Sequence, residues 1–440
     1  MIAPKKLNTA LVLVALGAGP AAAQDAALVI QGGDVHTLAS DVITGGTVVV
    51  EDGVITAVGR DVDIPAGAQV IDATGLRVYP GLFDAVTTLG LTEVGAVEVT
   101  NDFSEYGPWN PHLVAATAVH PASEHIPVAR ANGVTHAVAA PSAGGGFRGS
   151  GGSAAIPGQG TLINLDGWTV EEMEAQHSVG LVIQWPSIQT VRFNFQTFNR
   201  ENVPYREAKD AYEEQLEALT GWLESGRHQL AARESGSARV QTDLKLDALA
   251  SAMAGEMPVI IRVDGERNIR NAVEYAEEQG FSYAIASARG AWKVADLLAE
   301  HDVPVILGTT QTMPGGDDES YDEAYANPGR LHDAGVRIAI STFGSSNVRT
   351  LPYEAAQAVP FGLPREEALL AITLRPAQIL GLDEHYGTIE VGKAANLIVT
   401  DGDPLEIQTN VERLIIDGSL VDRDNKHDSL ADKYRGRYAN

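Results

Sequence analysis

Eleven histidines and no cysteine stand in the 440-residue sequence. Disulfides, thiolate metal sites and thiol nucleophiles are therefore excluded. His112, His120, His125 and His136 cluster after an early apolar run. None forms H-x-H or H-E-x-x-H, the spacings that bring two imidazoles to one cation. His120 and His125 lie five apart, off a common helical face, and the clustered histidines read as surface or N-cap-adjacent residues. The acidic run GGDDESYDE at 315–323 offers Asp317, Asp318, Glu319, Asp322 and Glu323. Such oxygen donors suit calcium. Their spacing matches no EF-hand loop, and a solvated charged loop is the plainer reading. GGGFRG at 144–149 has the form G-x-G-x-x-G. A dinucleotide site needs a helix to start there, and the GSGGSAAIPGQG that follows is too rich in Gly and Pro. Ser150, Ser153, Ser345 and Ser346 are loop serines with no identifiable base.

Composition narrows the partners. A chain of this length can bury one large core or two modest ones. Lys5-Lys6, the short apolar run Leu11–Leu16 and Ala21-Ala22-Ala23 form a secretory signal pattern, with an apolar run too short to span a bilayer. Export to the periplasm or medium is expected, with the mature chain starting at Gln24. Met1–Ala23 carries two lysines and no acid, so the remainder has 29 Lys and Arg against 58 Asp and Glu, a net of −29. That charge repels phosphate backbones and anionic membranes. No nucleic acid partner and no membrane span are expected.

The elements that must position any chemistry fall into two kinds. Residues 24–78 are rich in short β-type runs, and Asp52-Gly53 between two apolar alternations signals a hairpin. Similar runs return at 387–425, followed by a polar tail at 426–440. The two ends are predicted to build one small composite β-sandwich. Between them, over 79–386, eight strand-like runs alternate with helical stretches: LFDAVT, VTHAVAAP, TLINL, LVIQWP, PVIIRV, YAIASA, PVILG and RIAIST. Helical candidates are 123–132, 205–224, 243–254, 267–279, 291–300 and 354–358. Buried strands alternating with helices argue an α/β fold with a parallel sheet, and eight repeats argue a (β/α)8 TIM-type barrel. A doubly wound open sheet is the competing arrangement. In a barrel the chemistry sits at the C-terminal ends of the strands.

Five segments together resemble the amidohydrolase superfamily, in its imidazolonepropionase-like branch. They are VVVEDGVITAVG, VIDATGLRVYPGLFDA, AWKVADLLAEHDVPVILG, LPYEAAQAVPFGLPREEALLAITLRPAQILGL and GTIEVGKAANLIVTDGDP. The last is similar to a family tail that usually reads G-x-I-E-x-G-K-x-A-D-L, with Asn396 here in place of the Asp. The resemblance implies the barrel, the composite sandwich, and one or two divalent metals, zinc as the norm, that activate water against a carbon–nitrogen bond. It places the metal ligands as H-x-H on the first strand, a His on each of the fifth and sixth, an Asp on the eighth, and often a Lys or Glu on the fourth.

Carried across, those positions hold Val86 and Thr88, then Arg262, then Ala286 or Ser287, then Phe343, with Gln184 on the fourth strand. Only Asp84 stays as in the family. Val and Phe donate nothing, a lone Thr hydroxyl is a weak ligand, and the fixed charge of Arg262 repels a divalent cation. No cofactor is therefore expected. Arg262 has two readings. It pairs with a carboxylate such as Asp84 inside the barrel top, or its guanidinium replaces the metal's charge and binds a substrate carboxylate or an oxyanion. The catalytic set would then be Arg262, Asp84 and Thr88, with Val86, Gln184, Ser287 and Phe343 lining the pocket. One expected function is a divergent, metal-independent hydrolase of carbon–nitrogen bonds in non-peptide or small-peptide substrates. The alternative is a catalytically inactive ligand-binding or partner subunit, as a homo-oligomer or beside a metal-bearing relative. The ligand is a small molecule, anionic if Arg262 binds it.

Overall fold

The structure is a computed structural model that describes residues 26–143, 154–194, 197–236, 241–314 and 319–438. The leader pattern at 1–23, the glycine-rich run at 144–149, Ser150, Ser153, Asp317 and Asp318 lie outside the described residues.

Both ends of the chain build one sheet. Leu28–Val35, Ile43–Glu51, Val54–Gly59, Gln69–Asp72 and Arg77–Pro80 are joined by Leu397–Thr400, Val411–Ile416 and Ser419–Val421. The hairpin at Asp52-Gly53 forms because both residues take positive φ, 50° and 79°, the turn that matches the strand twist. Arg77–Pro80 is the junction: it runs parallel to Leu28–Val35 and antiparallel to Leu397–Thr400. Asn396 fastens this sheet to the barrel. Its amide donates to Asn164 Oδ1 at 3.1 Å, and its carbonyl accepts from the Asp417 N–H at 2.7 Å.

The second eight-stranded sheet is the barrel, and all eight expected runs are in it. In order they are Leu82–Thr87, Val134–Ala139, Gly158–Asn164, Glu174–Gln184, Val259–Val263, Tyr283–Ser287, Val305–Leu307 and Ile338–Ile340. Alternate residues, among them Phe83, Val138, Leu162, Val182, Ile260 and Ile306, fill its interior as packed layers. The first strand starts where its backbone crowds the second. A Cβ built on Gly81 would lie 2.0 Å from Thr135 Oγ1, so only glycine fits there.

One strand departs from the parallel pattern. Gly158–Asn164 runs antiparallel to both neighbours. The physical reason is the connection that follows it. Only residues 165–173 separate it from the fourth strand, and they hold a short helix, Val170–Met173. A parallel return needs a crossover of a dozen residues or more. The remaining ladders are parallel.

Helices Tyr205–Glu234 and Leu244–Met253 lie between the fourth and fifth strands, after a hairpin of Val191–Asn194 and Asn199–Asn202 that sequence reading did not anticipate. The helix expected at 291–300 begins as a 3-10 turn, Ala291–Val294, before Ala295–Glu300. Glu323–Asp333, from the acidic loop onward, is a further unanticipated helix, and the polar C-terminal stretch contains the helix Lys426–Tyr438. Among the described residues no helix is long and apolar enough to cross a membrane.

Candidate functional site at the barrel mouth

The barrel closes between its eighth and first strands through side chains and two backbone hydrogen bonds just past the eighth strand. Asp84 is fully buried. Its Oδ1 lies 2.5 Å from Ser341 Oγ and accepts the Thr342 N–H at 3.1 Å, and its Oδ2 accepts Thr342 Oγ1 at 2.6 Å. Ser341 Oγ in turn accepts the Val86 N–H at 2.9 Å. The Phe343 N–H donates to Val86 O at 3.0 Å, and the Thr88 N–H to Gly344 O at 3.1 Å. Burial pushes the Asp84 carboxyl up to about 6, against the hydrogen bonds from Ser341 and Thr342 that pull it down.

Arg262 stands elsewhere. Register sets it beside Gln184 on one side and Ala286 on the other. Ile260, two residues earlier, faces the interior, so Arg262 points inward at the next level up. Its Nη1 donates to Ser142 Oγ at 2.9 Å, and its guanidinium lies 5.2 Å from the Phe343 ring centroid. Burial lowers its pKa and nearby Asp264 raises it; a guanidinium remains charged throughout. Among the described residues no carboxylate forms an ion pair with Arg262. The expected Arg262–Asp84 pair is thus not made: the Asp84 oxygens are spent on the seam, and the cation stacks on a phenyl ring instead.

A cavity of about 150 Å³ opens at the C-terminal ends of the fifth to eighth strands. Arg262, Ser287, Arg289, Thr310, Glu323 and Phe343 are among the side chains lining it. Of the residues singled out from sequence, the structure brings together Arg262, Ser287 and Phe343. It leaves out Asp84, Val86 and Thr88, which belong to the seam. Gln184 donates to Arg262 O at 3.2 Å and faces a separate cavity beside Trp185. On the sixth strand Ala286 occupies the inward position opposite Arg262, and Ser287 follows at the lip. Ser287, Ala288 and Phe343 all take positive φ, 70°, 57° and 52°, and such strained backbone gathers at working sites. Glu319 and Glu323 of the acidic run also line the cavity. Arg289 and Thr310 escaped sequence reading, and the one available signal was their place just after the sixth and seventh strands.

The walls are tied in place. Asp264 accepts the Arg289 N–H at 2.8 Å and Ser287 Oγ at 3.2 Å. Buried Glu354 accepts from Thr310 Oγ1 at 3.0 Å and the Gln311 N–H at 2.8 Å. Glu323 accepts the Trp292 indole N–H at 3.0 Å and faces Lys293 at 3.7 Å, so this acid of the 315–323 run is turned into the protein. Ser320 donates to Asp322. His136, expected at the surface, is instead buried on the second strand, packed at a tilt between Phe83 and Tyr386, with burial lowering its pKa to about 3.

Metal binding by these residues can be judged from the donors. Among the described residues no three His, Asp or Glu side chains converge on one point. The strand-end side chains offer a guanidinium, a phenyl ring, an amide and single hydroxyls, which do not fit a divalent cation.

A barrel of this form, joined to a sheet built from both chain ends and carrying its cavity at the strand C-termini, defines a hydrolase-type barrel architecture. The sequence pattern of the amidohydrolase family matches residues 174–421, and the chain belongs to that family. Amidohydrolase tasK of Hapsidospora irregularis is 24% identical over 85% of this chain, which spans 39% of that relative's length. An imidazolonepropionase of Symbiobacterium thermophilum is 25% identical over 81% of this chain and 84% of its own. The crystal structure of an amidohydrolase from Thermotoga maritima superposes with a TM-score of 0.75 at 26% identity, over 90% of this chain and all of that one.

The seam makes stability depend on pH. The folded Asp84 carboxyl sits above its ordinary value of 3.8, so its contribution is fullest below pH 3.8 and is lost as pH rises to about 6. The two-unit shift corresponds to about 3 kcal/mol. Denaturant unfolding of wild type and Asp84→Asn is expected to show a stability difference that changes by about this much between pH 4 and 7. Parallel pH profiles for the two proteins would show that Asp84 titrates normally.

Proposed function

We propose that this chain is a divergent hydrolase of carbon–nitrogen bonds in small carboxylate-bearing molecules. Arg262 takes the substrate carboxylate or a developing oxyanion in place of a strand-borne metal. The observation that carries this reading is a half-buried guanidinium lining the inner part of the mouth cavity, held by a hydroxyl and a ring and in no ion pair with a described carboxylate. A partly desolvated cation of this kind gains from an anion that arrives with the ligand. Family membership supports the reaction class.

A second reading has one observation in its favour. Asp84, the carboxylate best placed by sequence to act on water, is consumed by the seam. A catalytically inactive ligand-binding or partner subunit would keep the cavity and Arg262 without needing Asp84. Turnover against a panel of amides, lactams and dipeptides separates the two. We also propose export, on the leader pattern; a protein recovered from the cell exterior or periplasm with Gln24 at its N-terminus is the expected result, and an intact Met1 there counts against it.

Arg262→Ala is expected to weaken propionate binding, followed calorimetrically, by at least about tenfold, as loss of a charge-assisted contact predicts. Arg262→Lys should fall between. Equal binding by wild type and Arg262→Ala would end the proposal, provided circular dichroism shows both folded. Elemental analysis of the purified protein should find well under one zinc or iron per chain. A stoichiometric metal overturns the metal-independent part.

A further inference from the structure

We propose that Arg289 is a second anion anchor, and that the mouth cavity selects a ligand with two negative charges, a small dicarboxylate, over one with a single charge. This rests on the reading of Arg262 as the first anchor.

Two guanidinium side chains line the one cavity, Arg262 within and Arg289 at the exposed rim. Strand register explains why they share it. Arg262 pairs with Ala286, and Arg289 follows three residues on, past the left-handed Ser287 and Ala288. The turn is then pinned: the Arg289 N–H donates to Asp264, Arg289 O accepts the Gly265 N–H at 2.9 Å, and the Ala288 N–H donates to Val263 O at 3.0 Å. Among the described residues the Arg289 side chain makes no hydrogen bond or ion pair. A backbone this tightly held that carries an uncommitted guanidinium at a cavity rim is pre-organised for a ligand rather than for the fold.

Among the described residues, the acids Asp264 and Glu323 near the pair hydrogen-bond to groups other than the two guanidiniums, although Asp264 still acts on Arg262 through its charge. Asp264 is occupied by Ser287 Oγ and the Arg289 N–H. Glu323 is met by Lys293 and the Trp292 indole. Glu319 also lines the cavity, and its charge disfavours a third negative charge there. It would favour an ammonium, so a zwitterion is the competing ligand.

Three four-carbon or shorter probes decide between these: propionate, succinate and 4-aminobutyrate, titrated calorimetrically into the full mature chain. Wild type is expected to bind succinate about tenfold more tightly than propionate, the worth of one added charge-assisted contact, and 4-aminobutyrate no better than propionate. Arg289→Ala should erase the preference for succinate and leave propionate within about twofold, since the rim guanidinium touches only the second carboxylate. Arg262→Ala should weaken both. If Arg289→Ala keeps the succinate preference, the inference is wrong while Arg262 still stands. If 4-aminobutyrate binds best, Glu319 sets the specificity and the inference is overturned. If Arg262→Ala binds all three probes like wild type, the reading beneath it fails instead.

Discussion

The closure of the barrel turns on one buried carboxylate. The other seven junctions between barrel strands are hydrogen-bonded ladders. The junction of the eighth strand with the first is carried by Asp84, which gathers Ser341 and Thr342, and by Ser341, which holds Val86. Removing a carboxylate from water is costly, and three converging donors offset that cost only if the two strands stay in register. The seam therefore fixes where the eighth strand ends. It also sets the Phe343 N–H on Val86 O, and so places the ring on which Arg262 rests.

The mouth inherits its character from that placement. In a chain with a formal net charge of −27, the cavity gathers guanidinium groups at its base and rim. The Phe343 ring beside the Arg262 guanidinium favours its charge, while Asp264, Glu323 and Glu354 tie backbone and wall residues in place. Glu323 and Glu319 share the lining with the two cations. The left-handed residues at the ends of the sixth and eighth strands are local strain that these ties sustain.

Much of the architecture was legible in the sequence because it is written in short-range periodicity. The eight apolar runs, the Asp52-Gly53 hairpin and the matching strands at the two ends all declare themselves within a few residues. Strand direction did not. The TLINL run at the end of Gly158–Asn164 reads like the other apolar runs, and only the shortness of residues 165–173 marks the strand's reversal. The site was legible in part. Arg262 stood out because a fixed cation replaced an expected imidazole. The partners of Asp84 could not be read, since Ser341 and Thr342 lie more than 250 positions away and no local pattern joins them. Arg289 looked like any charged residue after a strand, because its significance lies in sharing a cavity with Arg262.

The sheet made from both ends of the chain bears on how the molecule is made. Arg77–Pro80 waits for Leu397–Thr400 to complete its hydrogen bonds, and Asn396 must arrive before sheet and barrel are joined at Asn164. A strand that precedes the barrel thus belongs to a unit that strands following the barrel must finish. Contacts of such sequence separation form late and slowly. The barrel strands lie between these segments in the chain, so the composite sheet is completed only after all of them have been made.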